Sequence, residues 1–166
     1  MKRKFFIAMM LVMLSIPAMN LAAQNSGSPI GLDFGGVVST GYIASEPYSF
    51  LFLLRGGATV TGRYRINETF STGLELGFTY FSWDYYGTTT NWIDIPMNAV
   101  FRIGGGKTFV EPHVGYYLSA SIMDFSGFSV GVKGSLGGFY TDITYVIGSD
   151  YKYPRFGIGW QYNNIF

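Results

Sequence analysis

The most restrictive feature of this chain is where its charges stand. Eight stretches alternate apolar and polar residues with a period of two, which marks strands with one apolar face. Eleven charged residues fall within them: Asp33, Arg55, Arg63, Arg65, Glu75, Asp94, Arg102, Glu111, Lys133, Asp142 and Arg155. All eleven occupy the parity opposite the apolar set. The other charges after residue 23 are Glu46, Glu68, Asp84, Lys107, Asp124, Asp150 and Lys152, and these are expected in turns and loops. A strand face without a charge is what hydrocarbon selects, since Lys or Arg facing lipid at the midplane costs about 2–4 kcal/mol.

The clearest pair of strands runs from Trp92 to Ala120. Ile93, Ile95, Met97, Ala99, Phe101 and Ile103 share one parity, opposed by Asp94, Pro96, Asn98, Val100 and Arg102. After Gly104-Gly105-Gly106-Lys107-Thr108, the residues Val110, Pro112, Val114, Tyr116, Leu118 and Ala120 alternate with Glu111, His113, Gly115 and Ser119. Two such runs joined by a glycine turn predict a β-hairpin. Each arm is roughly 11 residues, the length a tilted strand needs to cross a bilayer.

The remaining segments are read at about 30–43, 50–66, 70–82, 128–136, 139–147 and 155–163. The fold expected is an all-β, eight-stranded antiparallel up-and-down transmembrane β-barrel. Its connections should alternate between tight turns near Asn67, Gly105 and Gly137 and longer loops at 44–49, 84–90, 122–126 and 148–153, the pattern of bacterial membrane barrels. Pro96 would cost a ladder hydrogen bond and suggests a bulge. Leu76 and Val114 should face lipid, while Gly77 should face the interior, where serine should cost much less than arginine at Leu76.

Composition agrees. Charged residues make up 13% of the chain and aromatics 19%, and no run after residue 23 is long and apolar enough for a spanning helix. The absence of cysteine excludes disulfides and thiol chemistry. At the start, Lys2, Arg3 and Lys4 precede an apolar run from Phe5 to Ile16 and a small-residue site at Leu21-Ala22-Ala23. This reads as a secretory signal peptide over 1–23, which leaves 24–166 as the outer-membrane barrel domain.

Inside so narrow a barrel the charges must pair. The expected lumen network is Arg55, Arg63, Glu75, Asp94, Arg102, Glu111, His113, Lys133, Asp142 and Arg155, interleaved with small residues such as Gly57, Gly77, Gly115, Gly131 and Gly157. Arg102 and Glu111 flank the glycine turn and are expected to be neighbours near its end of the barrel. Arg exceeds Lys on this face, as fixed-geometry pairing favours.

Over Asp94–Tyr117 the sequence resembles the PorT-like outer-membrane β-barrel family. The residues that carry the resemblance are Ile93-Asp94-Ile95-Pro96-Met97 and Pro112-His113-Val114-Gly115-Tyr116-Tyr117, with methionine in place of the usual leucine. In architecture it also resembles the small OmpA/OmpX-type barrels. The resemblance implies a fold and an outer-membrane location, and no activity. Phe166 supplies the terminal aromatic that barrel-assembly machinery recognises, although Asn164 stands where a second aromatic is common.

Chemistry-bearing patterns are few. The run Gly104–Thr108 lacks the earlier glycine of a phosphate loop, because Phe101 holds that place. His113, the single histidine, lies six strand residues from Ser119, about 20 Å, too far for a catalytic dyad. No catalytic residue, cofactor or metal site is read, and nucleic acid is not an expected partner. Aromatics at Tyr48, Tyr85, Tyr86, Phe125, Tyr151 and Tyr153 are read as outer-loop residues, forming a binding rim or an aromatic girdle. The role expected is that of a monomeric structural or interaction protein of the envelope, in contact with lipid. A narrow pore or transport accessory, and then a lipid-modifying barrel, are the alternatives.

Overall fold

The computed structural model describes residues 29–45, 48–85, 88–105, 107–120, 126–149 and 152–163. The signal segment 1–23, loop residues Tyr86, Phe125 and Tyr151, and Asn164 and Phe166 lie outside them. Eight antiparallel strands make a closed barrel in which each pairs with its neighbours in sequence and the last closes on the first. They are β1 (Ile30–Ser45), β2 (Tyr48–Arg65), β3 (Phe70–Tyr85), β4 (Thr88–Gly105), β5 (Thr108–Ala120), β6 (Gly127–Leu136), β7 (Phe139–Gly148) and β8 (Lys152–Asn163). β1 begins and β8 ends at what we call the terminal end; the opposite rim is the distal end.

A row of paired residues leaves β1 at Gly31 and passes through Arg63, Gly73, Val100, His113, Gly131, Thr144 and Arg155. It returns to β1 at Gly41, ten residues from where it began. Such a stagger tilts the strands steeply, and eight strands leave an interior that side chains fill. The parity predicted from sequence holds on every strand. Leu76 and Val114 point outward at 49% and 42% exposure, while Arg55, Asp94 and Glu111 point inward at no more than 1%.

The distal connections depart from expectation. β1 and β2 run to within two residues of each other, between Ser45 and Tyr48, and so do β3 and β4, between Tyr85 and Thr88. The stretches 44–49 and 84–90 are therefore mostly strand. Polar residues such as Thr88–Asn91 pair with Ser82–Tyr85, so a polar run that reads as loop is hairpin here. β2 and β4 reach 18 residues each, against 10 in β6 and β7. Asp84 and Lys152, expected in loops, are strand residues near the distal rim. Lys152 takes the outward parity there. Tyr153, also read as a loop residue, is fully buried inside the barrel.

Pro96 does not make a bulge. The β3–β4 ladder skips Gly77/Pro96 and Phe78/Ile95, but the register is the same on either side, from Leu76↔Met97 to Thr79↔Asp94. Pro112 likewise interrupts β4–β5 without a shift, between Val100↔His113 and Ile103↔Val110. Gly77 makes room for the Pro96 ring: a Cβ there would lie 2.6 Å from Pro96 Cγ. Serine at Gly77 must therefore displace that ring, a cost that its lumen-facing parity did not announce.

Glycines also form the closing seam. On β1, Gly36 lies under the Trp160 ring on the outer face; on β8, Gly159 lies under the Tyr140 ring on the inner face. The Tyr140 hydroxyl donates to the Gly36 carbonyl at 3.3 Å. A Cβ at Gly159 would meet that same carbonyl oxygen at 2.1 Å, whereas a Cβ at Gly134 on β6 would meet nothing within 4 Å. Gly159→Ala is expected to cost about 1–3 kcal/mol, the usual range for overpacking. Gly134→Ala should be neutral, or stabilising by about 0.4–1 kcal/mol through the unfolded chain. Equilibrium unfolding of the two variants in detergent compares them directly.

Candidate functional site

The alternation of the strands aims every interior charge at one axis, and the charges sort into two clusters. The larger one fills the terminal half. Arg63 on β2 donates to Asp33 on β1, and its Nη2 lies 2.5 Å from Glu111 Oε2 on β5. Arg102 on β4 binds the same Glu111 oxygen through Nε at 2.9 Å, and reaches Asp33 at 3.3 Å. Lys133 on β6 donates to Glu75 on β3 and lies 3.3 Å from Glu111 Oε1. Neutral groups complete the set. Gln161 on β8 donates to Asp33 and accepts from Arg102, both at 3.0 Å. Thr61 and Asn98 each donate to Glu75 at 3.3 Å. Tyr140 on β7 lies under Lys133, with the ammonium 5.0 Å from its ring centroid. Toward the terminal end, the Arg102 guanidinium rests 3.5 Å above the Phe109 ring.

Every strand thus supplies a member, and three cations meet three carboxylates. The expected neighbours Arg102 and Glu111 are joined, but Glu111 is a node and not one half of a pair. It touches Arg63, Arg102 and Lys133.

The second cluster lies in the distal half. Arg55 on β2 forms an ion pair with Asp94 on β4 at 2.7 Å. The Tyr117 hydroxyl on β5 accepts from Arg55 at 3.0 Å and donates to Asp94 at 3.2 Å. The Arg155 guanidinium stacks over the Tyr117 ring, 5.1 Å from its centroid. Between the clusters, His113 Nε2 contacts Thr144 Oγ1 at 3.0 Å and faces Asp142 at 3.6 Å. The Thr144 hydroxyl donates to Asp142 at 3.0 Å. This is not the geometry of a hydrolase, in which the carboxylate orients the far nitrogen of the base. Here the carboxylate bonds the hydroxyl, and His113 Nδ1 has no hydrogen-bond partner in the protein.

All ten residues expected in the lumen network face the interior. The lumen also holds Trp92, Phe109, Tyr117, Tyr140 and Tyr153, all buried, where small residues were expected between the charges. Their parity was the available signal: Tyr117 shares the parity of Glu111 and His113, and Tyr153 that of Arg155.

No protein-family model and no curated protein matches the chain in sequence. Among solved structures, it is similar to Ail, the attachment invasion locus protein of Yersinia pestis, at 14% identity and a TM-score of 0.47, over 80% of this chain and 97% of that one. It is similar to Neisserial surface protein A at 10% identity and a TM-score of 0.48, over 81% and 96%. The N-terminal β-barrel domain of Pseudomonas aeruginosa OprF gives 10% identity and a TM-score of 0.44, over 82% and 100%. Likenesses of this strength transfer no residue role, and the closed barrel stands on its own strand pairing.

Because Glu111 neutralises several cations, losing it strands more charge than losing any one of them. Removing one partner of a buried ionic contact typically costs about 3–5 kcal/mol. Glu111→Gln is expected at the top of that range and Arg102→Met below it, with the double variant less damaged than the sum of the two. Denaturant unfolding of the four proteins of this cycle measures the coupling, and strictly additive losses would contradict the node.

Proposed function

We propose that this chain is a monomeric barrel of the bacterial outer membrane, closed by its own charges, which acts at the envelope through its surface as a structural or interaction protein without catalysis. One observation carries the reading: between the rims the outward face of the barrel is apolar on all eight strands while charge is held inside. Leu74 and Phe139 are both 73% exposed and Ile158 64%. In water such a belt would be a large unsatisfied apolar surface. In a bilayer it is the required exterior, with lipid as its partner. The signal segment over 1–23 and assembly through the strand that leads to Phe166 fit the same reading, as does the PorT-like pattern over Asp94–Tyr117.

A narrow pore is the second reading, favoured by the polar lining that continues from Asp33 to Arg55. Conductance separates the two. The purified protein in a planar bilayer is expected to give no steady current, because ion pairs and aromatic rings fill the lumen. A stable open level would put the pore reading first.

Fractionation tests location: the protein should stay with outer membranes until detergent is added, and recovery in soluble periplasm would overturn the proposal. Depth is tested by substitution. Leu76→Arg, in the middle of β3, should cost about 2–4 kcal/mol, and Leu136→Arg, at the terminal end of β6, about 0–1 kcal/mol. Equal losses on refolding into lipid would place the hydrocarbon boundary elsewhere.

A further inference from the structure

The outward face of the barrel is uneven. One row of paired residues crosses it through Ile103 on β4, Val110 on β5, Gly134 on β6, Thr141 on β7, Ile158 on β8 and Val38 on β1. The next row toward the terminal end carries Leu136, Phe139 and Trp160. These three side chains stand out at 77%, 73% and 58% exposure. Beside them the first row is low: a Cβ at Gly134 would meet nothing within 4 Å, and its partner on β7 is only a threonine. A ledge of large side chains therefore overlooks a floor with a gap in it. Both rows line a single groove of about 900 Å³. Its floor crosses five inter-strand steps, a length of about 24 Å at the usual strand spacing.

The groove starts at the terminal rim, where Ile103 lies close to the end of β4, and climbs to Val38 in mid-strand. Lys107 stands where it starts. The residue follows β4 in the turn that leads to Thr108, itself part of the wall, and its stem passes 3.9 Å from where a Cβ on Gly138 would lie. The Lys107 carbonyl accepts from the Gly138 N–H at 3.3 Å and from the Ser135 hydroxyl at 3.1 Å. Its backbone is thus fixed on the rim. Its side chain is exposed and makes no salt bridge among the described residues.

We propose that this groove holds one acyl chain of a phospholipid from the terminal-end leaflet, with the lipid phosphate against Lys107. The inference rests on the lipid-facing reading of the belt. Hydrocarbon gains little by exchanging lipid for an apolar wall, so the hold must come from close packing and from the headgroup. The groove supplies the first, because a flexible chain can lie along the floor beneath the ledge. Lys107 supplies the second, since it places a cation at the depth of the phosphates. A second copy of this barrel fits less well: its convex wall would rest on Leu136, Phe139 and Trp160 and leave the floor at Gly134 empty.

Native mass spectrometry tests this directly. The full chain, refolded in detergent and titrated with dipalmitoyl phosphatidylglycerol, is expected to retain one phospholipid. Dipalmitoylglycerol, which has the chains without the phosphate, should bind about fivefold more weakly, and Lys107→Gln should bring the phospholipid down to that level, the usual effect of one lysine at an anionic headgroup. Gly134→Leu, which fills the floor, should lose the adduct. Gly62→Leu is the control: it adds the same side chain to the outward face of β2, where a Cβ meets only Leu32 at 3.9 Å, and it should keep the adduct. Equal retention by Gly134→Leu and the unaltered protein, or equal loss in both leucine variants, would reduce the adduct to ordinary surrounding lipid and overturn the proposal. So would a dimer mass that Gly134→Leu abolishes. A protein that inserts into vesicles yet retains no phospholipid sinks this inference alone, whereas one that does not insert sinks the lipid-facing reading with it. If Gly134→Leu does not fold, the comparison of phospholipid with dipalmitoylglycerol on the unaltered protein and on Lys107→Gln decides.

Discussion

A sheet of eight strands that closes on itself leaves a channel no wider than the side chains that line it, and this narrowness governs the rest of the molecule. Any charge placed on the inner parity loses most of its water. It can be kept only if the neighbouring strands deliver a counter-charge at the right height. The stagger of the barrel makes that delivery possible, because it brings residues far apart in sequence to one level. Asp33 and Gln161 meet in this way, 128 residues apart.

Buried ion pairs are weak contributors to net stability, since the cost of desolvation offsets much of their attraction. What they do supply is discrimination. Strand pairing by backbone alone tolerates slippage, and a two-residue slip would keep every apolar side chain outside. It would not keep Glu111 against its three cations, nor Asp94 against Arg55. The charges therefore penalise the wrong registers that the apolar pattern leaves open. The prolines are consistent with this division of labour. Each removes backbone rungs, yet the register on both sides is unchanged.

The fold was legible because its strongest signal, the parity of the charges, is local to each strand. The Arg102–Glu111 contact could be read too, since both residues lie on one hairpin around one turn. The cations that Arg63 and Lys133 bring to the same carboxylate could not, because they arrive only when other strands take their places around the barrel. Aromatics misled for a different reason. Tyr117 and Tyr140 look apolar in a hydropathy pattern, but their hydroxyls bond a carboxylate and a backbone carbonyl inside, so their rings suit a polar interior. Gly77 looked like an empty place along the lumen; its lack of a side chain is already used by the Pro96 ring.

The terminal network draws one member from each strand, and this bears on the order of events during assembly. Until β8 reaches β1, Gln161 is missing from Asp33 and the lumen is an open, wet face on which the charges are solvated separately. The last seam to zip is therefore also the step that expels water from every ionic group. Closure and drying become one cooperative transition, with a barrier set by the search that joins the two ends of the chain. A partly closed barrel would carry hydrated charge beside hydrocarbon, so incomplete intermediates are disfavoured before any machinery need reject them.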